Sequence, residues 1–235
     1  MEEKLFTNER ETRQAIQAAA DQANKVRLPN FINWKCVDDY IMVQNLIPAQ
    51  LCKSLIRESS LPGIKWSKHS WYNYGSERFS SVPEKELDVV NSSPEQFKSM
   101  GKYLEKALLN YQKKYSTLLK KKMLNQNPLP SKKQFISWIR HISQVRFNRY
   151  HVGTKMRTHC DHIQSLFDGK LKGIPIISIV GLLNDNYGGG AFMCRDKKIN
   201  LIRGDILLFP SNFMYPHEVK EITKGIRYSF VSWAF

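Results

Sequence analysis

Three residues in this sequence have the types and spacing to hold one metal ion. His159 and Asp161 stand one residue apart in the run Tyr150-His-Val-Gly-Thr-Lys-Met-Arg-Thr-His159-Cys160-Asp161. Side chains alternate between faces along a strand, so His159 and Asp161 point the same way and one ion can meet both. A third donor, His217, comes from a separate strand-like segment, Tyr215-Pro216-His217-Glu218-Val219. Two histidines and one carboxylate on one face of an iron leave the other face open, as non-haem Fe(II) needs when a cosubstrate and O2 must both reach the metal. His-x-Asp alone is a weak signal. Many surface loops contain one by chance, and a lone histidine is more often a hydrogen-bonded structural residue.

The signal strengthens downstream. Ten residues beyond His217, Arg227 opens the segment Arg227-Tyr-Ser229-Phe-Val-Ser-Trp233. A dicarboxylate that chelates iron at one end needs a cation at its far end, and the planar guanidinium can grip a carboxylate through two parallel hydrogen bonds. The plainer role for such an arginine is a surface salt bridge. Its place in a strand otherwise rich in Phe, Val and Trp argues for an inward, paired role. Ser229 shares the strand face of Arg227, and Trp233 continues it.

These residues need elements to position them. From Phe135 onward, short β-rich runs follow one another: 144–150, 175–183, 191–194, 199–202, 206–209, 217–219 and 227–235. Turn signals separate them at Asn184-Asp185-Asn186, Gly188-Gly189-Gly190, Arg203-Gly204-Asp205 and Lys224-Gly225. Such spacing suggests a sandwich, jelly roll or barrel. The glycine triplet reads as scaffold, with Asn184 closing the turn before it.

Upstream the pattern is helical. Residues 1–30 read as a polar helical arm, 40–43 as a short strand and 48–56 as a helix. Residues 61–92 read as an irregular, aromatic stretch with Trp66, Trp71, Tyr72 and Tyr74. From Ser93 to Met123, apolar residues recur at three- and four-residue spacing. The stretch 125–133, with Pro128 and Pro130, breaks this pattern. The expected division is the arm (1–30) and one domain (31–235), with helical support over 31–134 and a β core over 135–235.

With 235 residues, 42% of them apolar, the chain can bury a core. No stretch approaches the roughly 20 apolar residues that span a bilayer. The charged opening does not read as a secretory signal, and the four cysteines form no CxxC pair, so reduced thiols in a cytoplasmic setting are expected. The net charge of +15 permits association with nucleic acid or an acidic protein and singles out neither. A lysine cluster, including Lys113, Lys114, Lys120, Lys121 and Lys122, reads as a solvated helix face.

The segment from Gln144 to the C-terminus resembles the catalytic core of the prolyl 4-hydroxylase-like 2-oxoglutarate/Fe(II) dioxygenases, in its bacterial or phage form. The matching pattern is Tyr150-x-x-Gly153, His159-x-Asp161, Leu183-Asn184, Gly189-Gly190-x-Phe192, Gly204-Asp205, Phe209-Pro210-Ser211, His217-Glu218-Val219 and Gly225-x-Arg227-Tyr228-Ser229. The resemblance implies a mainly β, α+β fold: a double-stranded β-helix, or jelly-roll barrel, with supporting N-terminal helices. It implies iron ligands at His159, Asp161 and His217, and a cosubstrate cation at Arg227. Tyr150, Ser229 and Trp233 would line the 2-oxoglutarate pocket. The strand before Asn184 lacks a tyrosine that some relatives carry there. His162 and Cys160, one residue off the ligand face, are not expected to coordinate.

Implied with the family are Fe(II), 2-oxoglutarate and O2, with ascorbate as a reductant. The first expected substrate is a prolyl residue of a peptide or protein. If the chain is phage-encoded, it would act in the host cytoplasm. The +15 charge supports a second reading, an oxygenase acting on nucleic acid or ribonucleoprotein, although the lysine cluster lacks interleaved aromatics. A barrel that only binds a ligand is a third, opposed by the triad together with Arg227.

Overall fold

A computed structural model describes residues 35–73, 78–80, 82–122, 139, 141–161 and 176–235. The expected arm over 1–30, the break at 125–133, Tyr74 and His162 lie outside the described residues.

A short helix α1 (Lys35–Asp38) leads into strand β1 (Met42–Asn45) and helix α2 (Ala49–Ser59). Four short strands follow: β2 (Ser67–Lys68), β3 (Trp71–Asn73), β4 (Arg78–Ser80) and β5 (Asp88–Asn91). Then comes the long helix α3 (Pro94–Lys122). Its start is built by a reciprocal cap. The Gln96 N–H donates to Ser93 Oγ at 3.2 Å, and the Ser93 N–H donates to Gln96 Oε1 at 2.9 Å. Pro94 adds a pre-set φ where no backbone N–H is needed. One face of α3 buries Met100, Leu104, Ala107, Leu108 and Tyr111, at the spacing the sequence shows.

The remaining strands are β6 (Arg146–Tyr150), β7 (Met156–His159), β8 (Ile177–Leu182), β9 (Gly188–Gly189) and β10 (Phe192–Cys194). After them come β11 (Lys197–Ile199), β12 (Asp205–Pro210), β13 (His217–Val219), β14 (Ile222–Lys224) and β15 (Arg227–Ala234). A seven-stranded sheet has the order β1-β12-β8-β15-β6-β5-β2, and a four-stranded sheet the order β11-β10-β13-β7. All recorded pairings in the two sheets are antiparallel. This is the jelly-roll barrel expected from the sequence.

The large sheet is buried on both faces. Phe147, Ile179, Leu208 and Phe230 pack into one apolar cluster with α2 and α3. Tyr150, Val180, Leu207 and Phe209 pack into a second, with Phe192 and Val219 of the small sheet. Along β15 the parity is therefore fixed: Tyr228 and Phe230 belong to the helix side, and Arg227, Ser229, Val231 and Trp233 to the barrel interior.

Three local expectations change. The stretch 61–92 is not wholly irregular, because β5 and β2 extend the large sheet beyond β6. These strands are too short to show periodicity, and β5 is fixed by long-range polar contacts: Arg149 Nη2 and His151 Nε2 meet Asp88 Oδ2 at 2.8 and 3.0 Å. The strand expected over 199–202 lies instead at Lys197–Ile199, and β14 pairs with the two-glycine strand β9, which carries no side-chain signal. Lys114 is not simply a solvated lysine, since its Nζ donates to the Ile41 carbonyl at 2.8 Å.

Gly181 is required by close packing. It pairs directly with Phe230 across β8 and β15, and a Cβ there would meet the Phe230 ring at 1.9 Å. Gly181→Ala is expected to destabilise the protein by about 1–3 kcal/mol, the usual cost of overpacking a core. Urea denaturation of the variant beside the parent checks this.

Candidate active site

The small sheet brings the three donors together. His159 on β7 and His217 on β13 are direct cross-strand partners, and their ring centroids lie 4.3 Å apart. Asp161 follows two residues after His159, just past the end of β7, and keeps its face. One donor atom from each residue lies within 4.8 Å of the others. Both histidine Nε2 atoms face Asp161 Oδ1 at 3.6 Å.

The far nitrogens of the rings are already committed. His159 Nδ1 lies 2.7 Å from the Arg157 carbonyl, and His217 Nδ1 lies 3.0 Å from the Tyr215 carbonyl. A carbonyl only accepts, so each Nδ1 carries the hydrogen and each Nε2 turns a lone pair to the site. Burial favours the neutral form of His217 against the opposing pull of Asp161. Burial would raise the Asp161 carboxyl, but a proton on either facing histidine pulls it well below the ordinary carboxylate range. Two imidazole nitrogens and an ionised carboxylate are a donor set that fits Fe(II).

Aromatic rings hold these ligands from outside. Phe209 meets His217 edge-on at 4.9 Å, and Phe192 stacks on it at 5.8 Å. Trp71 meets His159 edge-on at 5.3 Å, with His69 on Trp71 at 4.7 Å. The Trp71 indole N–H donates to Glu86 Oε1 at 3.0 Å.

On the large sheet, Arg227 is only 1% exposed. Its cross-strand partner is Tyr150, whose ring centroid is 5.1 Å from the guanidinium carbon. Nη1 donates to Ser229 Oγ at 2.9 Å, while the buried Nε has no partner. Among the described residues no carboxylate pairs with Arg227. A buried cation without a counter-charge is costly, so this end of the pocket suits an anionic ligand. Burial pushes the Tyr150 hydroxyl up against the opposing charges of Arg227 and Arg146, so it stays protonated and able to donate.

Asn184 does more than close a turn. It accepts from the Tyr228 N–H at 2.7 Å and donates to the Ile226 carbonyl at 2.8 Å, bracketing Arg227. Gly190, at φ +61°, lets the chain pass close to the arginine: a Cβ there would meet Arg227 Cδ at 3.1 Å.

The predicted residues His159, Asp161, His217, Tyr150, Arg227, Ser229 and Trp233 all line one cavity. Cys160 turns off the site and meets the Phe213 carbonyl at 3.6 Å. Arg146 and Asn148 also line the cavity and were not anticipated. Their signal was present in the sequence: on β6 they share the inward parity of Tyr150.

Residues 145–235 match the 2OG-Fe(II) oxygenase superfamily. Comparison with curated protein sequences gives no match. Among solved structures, a Pseudomonas putida prolyl-4-hydroxylase is similar with a TM-score of 0.52 and 18% identity, over 84% of this chain and 96% of that one. A Trichoplax adhaerens prolyl hydroxylase, solved with a hypoxia inducible factor peptide fragment, gives 0.56 and 16%, over 98% and 94%. A viral collagen prolyl hydroxylase from Paramecium Bursaria Chlorella virus-1 gives 0.52 and 14%, over 83% and 94%. At these identities the likeness concerns the fold. The chain carries a 2OG-Fe(II) oxygenase domain over residues 145–235, where the sequence match, the barrel and the donor set agree. It is a 2-oxoglutarate-dependent dioxygenase, and its cofactors are Fe(II), 2-oxoglutarate and O2.

His69 provides a test of the packing around Trp71. Burial, then the charges of Arg146, His159 and Arg157, push it from 6.5 down to about 3. Its folded value lies below the unfolded one, so its contribution is intact above about pH 6.5 and is lost as pH falls from there towards 3. Below pH 6.5 the parent should lose up to about 1.4 kcal/mol per pH unit more than His69→Gln. Urea denaturation of both proteins at pH 7 and pH 5 measures the difference.

Proposed function

We propose that the protein hydroxylates a prolyl residue of a peptide or protein, with iron held by His159, Asp161 and His217 and the far carboxylate of 2-oxoglutarate held by Arg227. The observation that carries this reading is the pairing, in one cavity, of an open-faced donor triad with a buried arginine that has no carboxylate partner.

Bound Fe(II), 2-oxoglutarate and O2 supply the C–H oxidation, with succinate and CO2 as co-products. The chain's own residues position and shield. The two Nε2 atoms and the Asp161 carboxylate hold the metal from one side. Arg227 neutralises the far carboxylate, Ser229 steadies its guanidinium, and Tyr150 donates its hydroxyl. Val180, Phe192 and Val231 form apolar walls that keep water from the reacting centre. The prolyl substrate is supported by the barrel's likeness to three prolyl hydroxylases, one of them solved with a peptide.

The reading is tested by incubating the protein with Fe(II), ascorbate, 2-oxoglutarate and proline-containing peptides. Succinate release and a peptide mass gain of one oxygen atom are expected. His159→Ala should abolish both. Arg227→Lys should raise KM for 2-oxoglutarate about 10- to 100-fold, the value of a charge-assisted, two-pronged contact. A mass gain on oligonucleotides and none on peptides would instead favour the nucleic-acid reading that the +15 charge suggests.

A further inference from the structure

The cavity contains a second arginine that the cosubstrate does not require. Arg146 and Tyr150 lie on the same inward face of β6, four residues apart, which is about 13 Å of extended chain. Arg227 stands opposite Tyr150, whereas Arg146 stands opposite Val231. The two arginines therefore occupy opposite ends of one wall, with Asn148 and Ser229 between them.

The polar atoms around Arg146 lack partners. Its Nε, the Trp233 indole Nε1 and Asn148 Oδ1 are all buried and unpaired. Its guanidinium carbon lies 5.6 Å from the Trp233 ring centroid, and all three residues line the cavity. Among the described residues no carboxylate pairs with Arg146. Burial disfavours its charged form against the opposing pull of Tyr150 and Asp161.

Asp161 belongs to the proposed metal set and Tyr150 to the proposed 2-oxoglutarate set. The charges of Fe(II) and Arg227 are cancelled by those of Asp161 and doubly ionised 2-oxoglutarate. Arg146, partly buried along the cavity wall with its Nε enclosed, is then left as a cation with no counter-charge among the described residues. A water or a peptide carbonyl can accept its hydrogen bonds, but only an anion removes the charge penalty. The surrounding potential has the same sign. Arg157 lies on the Trp71 ring at 4.4 Å, and both arginines act on His69.

We infer that Arg146 and Trp233 bind a carboxylate of the substrate, so that the enzyme selects peptides carrying Asp or Glu beside the oxidised proline. This rests on the prolyl-peptide function proposed above. Guanidinium and indole N–H form a donor pair for the carboxylate, and Asn148 Oδ1 accepts a substrate N–H.

Calorimetry on protein loaded with Mn(II) and 2-oxoglutarate tests this without turnover. The probes are peptides with a central Pro flanked by Asp or by Asn. In the parent, the Asp peptide is expected to bind about 10- to 100-fold more tightly. Arg146→Gln should remove that preference, and 2-oxoglutarate titrated into the same variant serves as the control for folding. Equal binding of Asp and Asn peptides by the parent would overturn the inference, and that comparison needs no variant. So would a variant that loses 2-oxoglutarate affinity rather than peptide preference, since Arg146 would then serve the cosubstrate. If neither peptide binds, and neither gains oxygen with Fe(II) while 2-oxoglutarate still binds, the prolyl reading itself falls and this inference with it.

Discussion

The cross-strand register of β7 and β13 is the constraint on which the site depends. It sets His159 opposite His217, so two donors from distant parts of the chain stand side by side. A one-residue slip would turn one imidazole to the other face of the sheet and dissolve the donor set. Phe192 and Phe209 pack around His217, and the carbonyls of Tyr215 and Arg157 fix both rings in one tautomer. Register, packing and proton placement therefore point the same two nitrogens at the same point.

The large sheet adds the second half of the chemistry by the same means. The pairing of β15 with β6 sets Arg227 against Tyr150 and Ser229 against Asn148, all facing the barrel interior. The helix layer behind the sheet fixes which residues turn inward, because Phe147 and Phe230 are committed to the α3 side. Cations result on the inner face. Arg227 is enclosed and Arg146 partly so, and among the described residues no carboxylate pairs with either, which makes the cavity a receptor for negative charge.

Much of this was legible in the sequence. Alternation put His159 and Asp161 on one face, and the apolar texture around Arg227 marked it as inward. Apolar residues at three- and four-residue spacing from Ser93 onward marked the long helix. What was hidden depended on distant partners. β5 is recognisable only through Asp88 meeting Arg149 and His151, and β9 consists of two glycines whose strand character comes from β14. Asn184 read as a turn residue because its bonds to residues 226 and 228 span more than forty positions. Arg146 was overlooked although its parity matched Tyr150, because an arginine in a strand reads as solvent-facing until its neighbours are seen to bury it.

The most direct test of the central claim is a crystal structure of the anaerobic complex with Fe(II) and 2-oxoglutarate. The account predicts iron on His159 Nε2, the Asp161 carboxylate and His217 Nε2, with the far carboxylate of 2-oxoglutarate on Arg227 beside Tyr150 and Ser229. Iron bound by any other set of residues, or the far carboxylate seated on Arg146 instead, would contradict it.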